Sequence, residues 1–413
     1  MNPGKEGAVS SLRLSFIMLA LALPAASAAA PPGGRADSLS VVALGDLGEP
    51  GGVLRGCATY VANMYAGQHD AGKFDILLFL GDAFTPTGLN IPQGDVRGAV
   101  DAVLDPFRET MEDLGKDRCI AVPGEHDYYA RNAIESSLLL GLVKIREAPV
   151  GLTETGNRRE AAIPLWTFHF GMPAEATFAV RPGGEDSVQF IFLDSAIPLR
   201  TPSAYWSPAL RALGAILAGD RARPRVIWRL LCDHHPFVSA GEHGGYTAWD
   251  EDAGAVAYVP PCDRDSSALS WVMNQLDPED LCAGRYAAWI DSVKAAVRGG
   301  GVKIHCAISA HDHSMQLINV PGPEADPFPS VQIVTGAAAN PSRVRYPAPP
   351  AIYTSAKTDP SAQGESLPGF ARLAFGRDVC TVIFYNGNNG DPVDMGGGRT
   401  TFAITRSGAL VGK

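Results

Sequence analysis

The stretch DILLFLGD, from Asp75 to Asp82, is an apolar run of strand length that ends in a glycine and a carboxylate. The stretch LSVVALGD, from Leu39 to Asp46, has the same form. Such continuous apolar runs are typical of strands that are buried on both faces. They alternate with helical patterns, which predicts an α/β fold with a largely parallel or mixed sheet. In sheets of this kind, ligands bind beyond the carboxyl ends of the strands.

Helical patterns fill the intervals between these runs. They are predicted at about Leu54 to Ala66, Val96 to Leu114 and Leu281 to Val297. Two late strands are predicted at GFARLAF and CTVIFYN, which begin at Gly369 and Cys380. No internal repeat is evident.

Three further apolar runs end in ionisable side chains: CIAVPGEHD, VIWRLLCDHHPF and VKIHCAISAHDH. Across the five runs, these end residues include Asp46, Asp82, Glu125, His126, His234, His311 and His313. A single strand-end Asp is most often a helix cap or a turn residue, so the joint pattern carries the prediction. Carboxylates and imidazoles together supply hard oxygen and borderline nitrogen ligands, which predicts a metal site. The H-x-H spacing of His311 and His313 predicts two rings on one side of an extended strand.

The motifs GDLG, GDAF, GEHD, HHP and AHDH, in this order, resemble the signatures of calcineurin-like metallophosphoesterases. Three longer stretches, LGDAFTPTG, FVSAGEHG and SAHDHSMQ, are similar to the small, tartrate-resistant type of purple acid phosphatase. The resemblance extends from Leu39 to Tyr385. It implies a metallophosphoesterase β-sandwich flanked by helices, with a dimetal site at the C-terminal ends of strands.

The resemblance also implies two metal ions that share one bridging carboxylate. The ligands of the first ion would be Asp46, Asp82 and His313. The ligands of the second ion would be Asp82, Glu125, His234 and His311.

Further motif residues would serve the substrate. His126 would act as the general acid or contact the phosphate, and His243 would line the substrate pocket. His235 is expected to point away from the site, towards packing or solvent.

The chain departs from the family pattern at two ligand positions. Glu125 stands where the family usually has Asn, and Thr85 stands where the purple members have a metal-binding Tyr. Gly48 stands where non-purple relatives commonly have His. Glu125 would restore the negative charge that the Tyr supplies, so we expect it to be an anionic metal ligand. Two divalent ions, drawn from Fe, Mn or Zn, fit this set better than a stable ferric ion. A phenolate from Tyr128 or Tyr129 stays an alternative.

The resemblance predicts a metal-dependent phosphomonoesterase, similar to the acid phosphatases, that hydrolyses phosphate esters with a metal-bound hydroxide. A phosphodiesterase or nucleotidase is one alternative, and a non-catalytic, ligand-binding member of the family is another. The expected partner is a small phosphorylated substrate. The net charge of −10 argues against a surface that coats nucleic acid. The oligomeric state is left open.

The N-terminus resembles a targeting signal. Basic residues precede LSFIMLALALPAASAAA, an apolar run that ends in small residues, which predicts a signal peptide over residues 1–28. The mature protein would then be secreted or periplasmic and free of the membrane; a short membrane anchor is the alternative. The phosphoesterase domain is expected over residues 39–390, with an insertion at about 239–301 and a C-terminal segment over 391–413.

The cysteines divide into two groups. Cys262 and Cys282 flank a polar loop and form the best candidate disulfide pair. The other group lies inside apolar runs and is expected to consist of buried thiols: Cys119, Cys232, Cys306 and Cys380.

Overall fold

A computed structural model of the chain describes residues 38–48, 51–68, 73–83, 103–127, 167–169, 172–201, 203–223, 225–244, 247–250, 255–258, 279–281, 283–320, 322–323, 325–344, 352–355 and 364–412. The predicted signal peptide lies outside these residues, as do Thr85, Tyr128, Tyr129 and the Cys262–Cys282 pair. The predicted domain boundaries also stay predictions.

Strands make up most of the regular structure in the described ranges. In chain order they are β1 (Leu39–Leu44), β2 (Ile76–Leu80), β3 (Cys119–Val122), β4 (Thr167–Phe168), β5 (Ala174–Ala179), β6 (Ser187–Phe192), β7 (Val226–Cys232), β8 (Thr247–Asp250), β9 (Ala255–Tyr258), β10 (Cys306–Ser309), β11 (Met315–Asn319), β12 (Val331–Thr335), β13 (Ile352–Thr354), β14 (Gly369–Phe375), β15 (Val379–Asn386), β16 (Thr401–Thr405) and β17 (Leu410–Gly412). The α-helices are α1 (Gly52–Tyr65), α2 (Arg108–Leu114), α3 (Ala196–Arg200), α4 (Ser203–Asp220) and α5 (Gly284–Gly300).

The strands form two large mixed sheets and one small hairpin. The first sheet has eight strands in the order β17-β16-β15-β14-β1-β2-β3-β4, and the second has seven in the order β13-β11-β12-β10-β7-β6-β5. Strands β1 to β4 run parallel, and so do β6, β7, β10 and β12. The outer strands of both sheets pair antiparallel, and β8 and β9 form the hairpin. The predicted mixed α/β class is confirmed.

Alternate residues of each strand pack on opposite sides of its sheet. In β1, Val41 and Ala43 join a core that also contains Phe190 and Ile308 of the second sheet. Their neighbours in β1 pack instead with helices α1 and α2. The outer face of the second sheet packs with α4 and α5. Because both faces are buried, the strands are continuously apolar, and the layers form the predicted sandwich flanked by helices.

The structure corrects one expectation from the sequence and adds a helix that the sequence pattern did not predict. The H-x-H pair does not lie on an extended strand, since β10 ends at Ser309 and β11 begins at Met315. Helix α4 was not predicted, because Pro208 and two glycines weaken its helical pattern. Its buried Trp206 and Leu213 pack into the core beside α5, which stabilises it.

Five cysteines are described, and all five are buried free thiols: Cys57, Cys119, Cys232, Cys306 and Cys380. This confirms the interpretation of the apolar-run cysteines. None of the helices in the described ranges combines the length and the apolar character that crossing a membrane requires.

Candidate metal centre

Three of the predicted ligands have left-handed backbone conformations at the ends of strands. The φ angles are 56° at Asp46, 53° at Asp82 and 63° at His311. No other non-glycine residue in the described ranges has a positive φ. Such a conformation costs about 1–3 kcal/mol per residue and is concentrated at functional sites. The chain therefore turns sharply after β1, β2 and β10 and brings the three side chains to one place.

Glycines beside the ligands leave the space that these side chains occupy. A Cβ atom on Gly124 would lie 2.0 Å from Oδ1 of Asp82, and one on Gly336 would lie 2.3 Å from Oδ2 of Asp46. A Cβ on Gly81 would lie 2.4 Å from Nδ1 of His234. Packing therefore explains the glycines before Asp82 and Glu125, and Gly81 also has a left-handed φ of 86° that favours glycine.

One group of donor atoms surrounds the Glu125 carboxylate. Its Oε2 lies 3.0 Å from Nε2 of His234 and 3.2 Å from Nε2 of His235. Its Oε1 lies 3.3 Å from Nδ1 of His311. One donor atom from each of these four buried residues lies within 4.8 Å of the other three. The four residues could therefore hold one metal ion.

A second group adjoins the first and contains Asp46 and Asp82. These two carboxylates form a possible metal site together with His234, whose Nε2 lies 3.4 Å from Oδ2 of Asp82 and 4.0 Å from Oδ1 of Asp46. His313 contributes its Nε2, which lies 3.5 Å from Oδ1 of Asp46. The structure thus brings all six predicted ligands together at the strand ends.

Two histidines are oriented by backbone carbonyls. Nδ1 of His234 donates to the carbonyl of Leu80 at 2.7 Å, and Nδ1 of His313 donates to the carbonyl of Asn340 at 2.9 Å. A carbonyl only accepts, so in the neutral ring the proton is on Nδ1 and Nε2 carries the lone pair. That lone pair faces the carboxylates in both residues, as in a metal-binding histidine whose other nitrogen is held by an outer partner.

The centre contains several buried polar atoms that form no hydrogen bond among the described residues. They are Oδ1 and Oδ2 of Asp46, Oε2 of Glu125, Nε2 of His234, Nε2 of His235, and Nδ1 and Nε2 of His311. Buried polar atoms are normally satisfied, since each unsatisfied one costs about 1–3 kcal/mol. Carboxylate oxygens and imidazole nitrogens are ligands that divalent ions accept, so the residues fit a metal.

The pKa values of the clustered groups also indicate that positive charge would be favourable at this place. Burial raises the pKa of Asp46 well above its ordinary value, and the charges of Asp82 and Glu125 add to the effect. Burial opposes protonation of His234, but the Asp82 and Glu125 carboxylates outweigh it and raise the pKa of that ring. Burial lowers the pKa of His235 to about 4, which favours a neutral imidazole. Divalent ions would compensate the clustered carboxylates directly.

His235 lies in the cluster, contrary to the expectation from the sequence. Its ring does not point away from the site: Nε2 reaches Glu125, and the ring centroid lies 4.3 Å from that of His311. Adjacent residues alternate in direction only on an extended strand, and β7 ends at Cys232. The irregular backbone beyond Cys232 allows both His234 and His235 to face the cluster.

Asp127 is a second residue that the sequence analysis did not assign. Its carboxylate accepts hydrogen bonds from the backbone N–H groups of Asp82 at 2.9 Å, Ala83 at 2.8 Å and Gly124 at 2.9 Å. It thereby holds the turn after β2 against the turn after β3. The sequence shows a carboxylate at this position of the GEHD motif. It does not show that this carboxylate accepts hydrogen bonds from backbone N–H groups of two separate turns.

The two predicted substrate residues lie at the margin of the cluster. His126 has its Nε2 3.8 Å from Oδ2 of Asp82 and 3.7 Å from Oε1 of Glu125, and its side chain is 19% exposed. His243 is half-buried, and its ring centroid lies 4.4 Å from that of His311. Both rings are close enough to contact a molecule bound at the centre.

Comparison with known proteins gives a family for this fold and site. Residues 39–264, more than half of the chain, match the family of calcineurin-like phosphoesterases. The chain belongs to this family, as the motif order predicts. No curated protein is similar enough to match.

Several solved structures are similar to this chain at low sequence identity. GAP50, the anchor in the inner membrane complex of Plasmodium, is 15% identical, with 86% of each chain covered and a TM-score of 0.50. The purple acid phosphatase PPD1 of yellow lupin is 14% identical, with 91% of this chain and 55% of that chain covered and a TM-score of 0.46. PhoD is 11% identical, with 93% and 72% covered and a TM-score of 0.46. At such identities the likeness to GAP50 concerns the fold alone.

Proposed function

We propose that this protein is a dimetal phosphomonoesterase of the acid-phosphatase type. One observation carries the proposal: six motif residues converge at the strand ends, and many of their buried donor atoms have no hydrogen-bond partner among the described residues. We further propose that it acts as a secreted or periplasmic protein, a location that rests on the predicted signal peptide.

The chain offers oxygen and nitrogen donors to two ions. Asp46, Asp82 and His313 would hold the first, and Glu125 with the neighbouring imidazoles would hold the second. Mn, Fe(II) and Zn all accept this mixture of donors. When bound, the two ions would supply Lewis-acid activation of water and neutralise charge on the phosphoryl oxygens.

Side chains of this protein would donate the proton, contact the substrate and position the metal ligands. His126 is partly exposed and adjoins both Asp82 and Glu125, so it is placed to donate a proton to the leaving oxygen. His243 lies beside His311 and would contact the phosphate or the group attached to it. The buried turn held by Asp127 would keep Asp82 in position during the reaction.

A second candidate is a non-catalytic binding protein of the same fold. Glu125 in place of the usual Asn favours it, because an added carboxylate reduces the positive charge that would attract a phosphate. The fold shared with GAP50 is compatible with it as well, since that protein is an anchor. The buried donor atoms argue against a binding protein, because a site that had lost its catalytic function would be expected to lose its metal-binding side chains as well.

Hydrolysis of an aryl phosphate monoester tests the proposal. Protein stripped of metal would be reloaded separately with Mn, Fe(II) or Zn, and Asp82→Asn would be compared with Asp75→Asn. Both aspartates are buried and flank β2, but Asp75 lies at its start and accepts a hydrogen bond from the Ser40 N–H at 2.8 Å. We expect metal-dependent turnover that falls at least about a hundredfold in Asp82→Asn and persists in Asp75→Asn.

A diester substrate measured in parallel separates the enzymatic alternatives. Faster turnover of the diester would replace the phosphomonoesterase by a phosphodiesterase. Folded, metal-loaded protein without turnover of either ester would favour the binding protein.

A further inference from the structure

The environment of His235 distinguishes it from an ordinary buried histidine. Only 1% of its surface is exposed, and its Nε2 lies 3.2 Å from Oε2 of Glu125. Neither atom forms a hydrogen bond among the described residues. Two polar atoms at this separation without a hydrogen bond are arranged like two ligands of a shared ion.

The opposite side of the ring is held by Ser195. The Oγ of Ser195 lies 2.9 Å from Nδ1 of His235 and also accepts a hydrogen bond from the His235 backbone N–H at 3.1 Å. With a proton on Nδ1, the ring donates to Ser195, and the lone pair of Nε2 faces the cluster. A metal-binding histidine is typically held by an outer partner in this way.

The distances fit a single ion held between the Glu125 carboxylate and three imidazoles. Zinc binds imidazole nitrogen and carboxylate oxygen at about 2.0–2.2 Å, which places neighbouring ligands about 3.4 Å apart. The separations from the Glu125 oxygens are 3.0 Å to His234, 3.2 Å to His235 and 3.3 Å to His311. Each of the three imidazoles is therefore at a ligand-like distance from the same carboxylate.

We propose that His235 is a ligand of the second ion, so that three imidazoles and the Glu125 carboxylate, together with the shared Asp82 carboxylate, close that site around zinc. The inference rests on the dimetal centre of the proposed function and assigns unequal tasks to its two halves. A shell that is filled by protein ligands is typical of a structural zinc site, whereas an open position is typical of a catalytic one. The half formed by Asp46, Asp82 and His313 has fewer protein ligands, so substrate and water would bind there.

The closed site should retain zinc more tightly than its neighbour. After loading with excess zinc and dialysis against a competing chelator, the wild-type protein should keep one zinc per chain, measured by mass spectrometry. His235→Phe, which keeps a ring but removes the nitrogen, should bind this zinc at least about tenfold more weakly. His243→Phe is the matched control, because His243 also packs on His311, at 4.4 Å between centroids, and should retain the zinc.

X-ray absorption of the wild-type protein with one zinc per chain decides the point without a variant. Scattering from three imidazoles would support the inference, and scattering from two would overturn it. Unchanged zinc affinity in folded His235→Phe would overturn it as well. The proposed function can fail separately. A protein that hydrolyses no phosphate ester but holds zinc with three imidazoles would contradict the proposed function and still support the present inference.

Discussion

Nε2 of His234 and Oε2 of Glu125 lie 3.0 Å apart inside the protein, yet the pair does not have the geometry of a hydrogen bond. The ring donates its Nδ1 proton to the Leu80 carbonyl, so in the neutral tautomer a lone pair faces a carboxylate. Burial disfavours a charged ring, but the Asp82 and Glu125 carboxylates raise the pKa of His234, so the space between the two atoms favours a positive charge, either a proton on Nε2 or a metal ion. This relationship is the simplest physical reason to place a metal at the strand ends.

The charge of Glu125 should contribute directly to metal affinity. In Glu125→Gln the side chain keeps its size but loses its negative charge, so we expect Mn or Zn to bind at least about tenfold more weakly. Isothermal titration calorimetry of metal-free protein measures this change. Glu109→Gln, an exposed change in α2, is the control. Equal affinities in the wild type and Glu125→Gln would contradict the assignment of Glu125 as a ligand.

The space at Gly336 should be required for the position of Asp46. An added Cβ would lie 2.3 Å from Oδ2 of Asp46 and 3.0 Å from the carbonyl oxygen of Asp312. We expect Gly336→Ala to lower the free energy of unfolding by about 1–3 kcal/mol and to reduce the metal content. Urea unfolding and metal analysis measure the two effects. Gly322→Ala is the control because its Cβ would meet no atom within 4 Å, and equal behaviour of the two variants would exclude the packing argument.

The Asp127 carboxylate should stabilise the turns that carry the ligands. Asparagine offers one acceptor oxygen and would turn its amide towards a backbone N–H group that Asp127 now satisfies. Burial and the charge of Asp82 raise the pKa of Asp127 to about 7, so the group is charged at about pH 8. Because hydrogen bonds to a charged group contribute about 1.5–3 kcal/mol, Asp127→Asn should lower the free energy of unfolding at that pH by a similar amount, measured by urea unfolding. Asp105→Asn, which alters an exposed contact with Arg108, should change it far less. A stability loss as small as that of Asp105→Asn would show that the three N–H groups are satisfied in another way.

His305 should make the protein less stable in acid independently of the metal centre. Burial, helped by the charges of Arg406 and Arg229, lowers the pKa of this ring from 6.5 to about 3. The unfolded chain therefore takes up the proton first, so the contribution is complete above pH 6.5 and is lost as the pH falls from there towards 3. The added slope is at most about 1.4 kcal/mol per pH unit.

His305→Asn removes this titration and can still accept the hydrogen bond from the Arg229 N–H, which is 3.0 Å long in the wild type. Urea unfolding at pH 7, 6 and 5 should show a flatter pH dependence in the variant than in the wild type. Parallel pH profiles would mean that His305 is not the group that resists protonation.

The sequence predicts the parts of this fold that depend on burial alone. Strands such as β1 and β2 are buried on both faces, so each is a continuous apolar run that can be recognised without its partners. Their ends are marked by Gly-Asp, and the carboxyl ends of parallel strands meet, so the position of the site follows. Helix α4 was missed because tertiary packing, rather than its own sequence pattern, stabilises it.

The details of the site depend on backbone geometry that the sequence does not reveal. His311 and His313 were expected to share a face of a strand, whereas His311 has a left-handed conformation and lies beside Glu125, while His313 lies beside Asp46. His235 was expected to point away, but the strand ends before it. In both cases the residue types indicated the chemistry, and the turns determined which atoms meet.

Anomalous diffraction from crystals of the protein grown with Mn or Zn tests the central claim most directly. We predict two metal peaks about 3.5–4 Å apart, one beside Asp46 and His313 and the other beside Glu125 and His234, with the Asp82 carboxylate between them. Crystals grown under the same conditions in which Asp46 and Glu125 bind no metal would contradict the account.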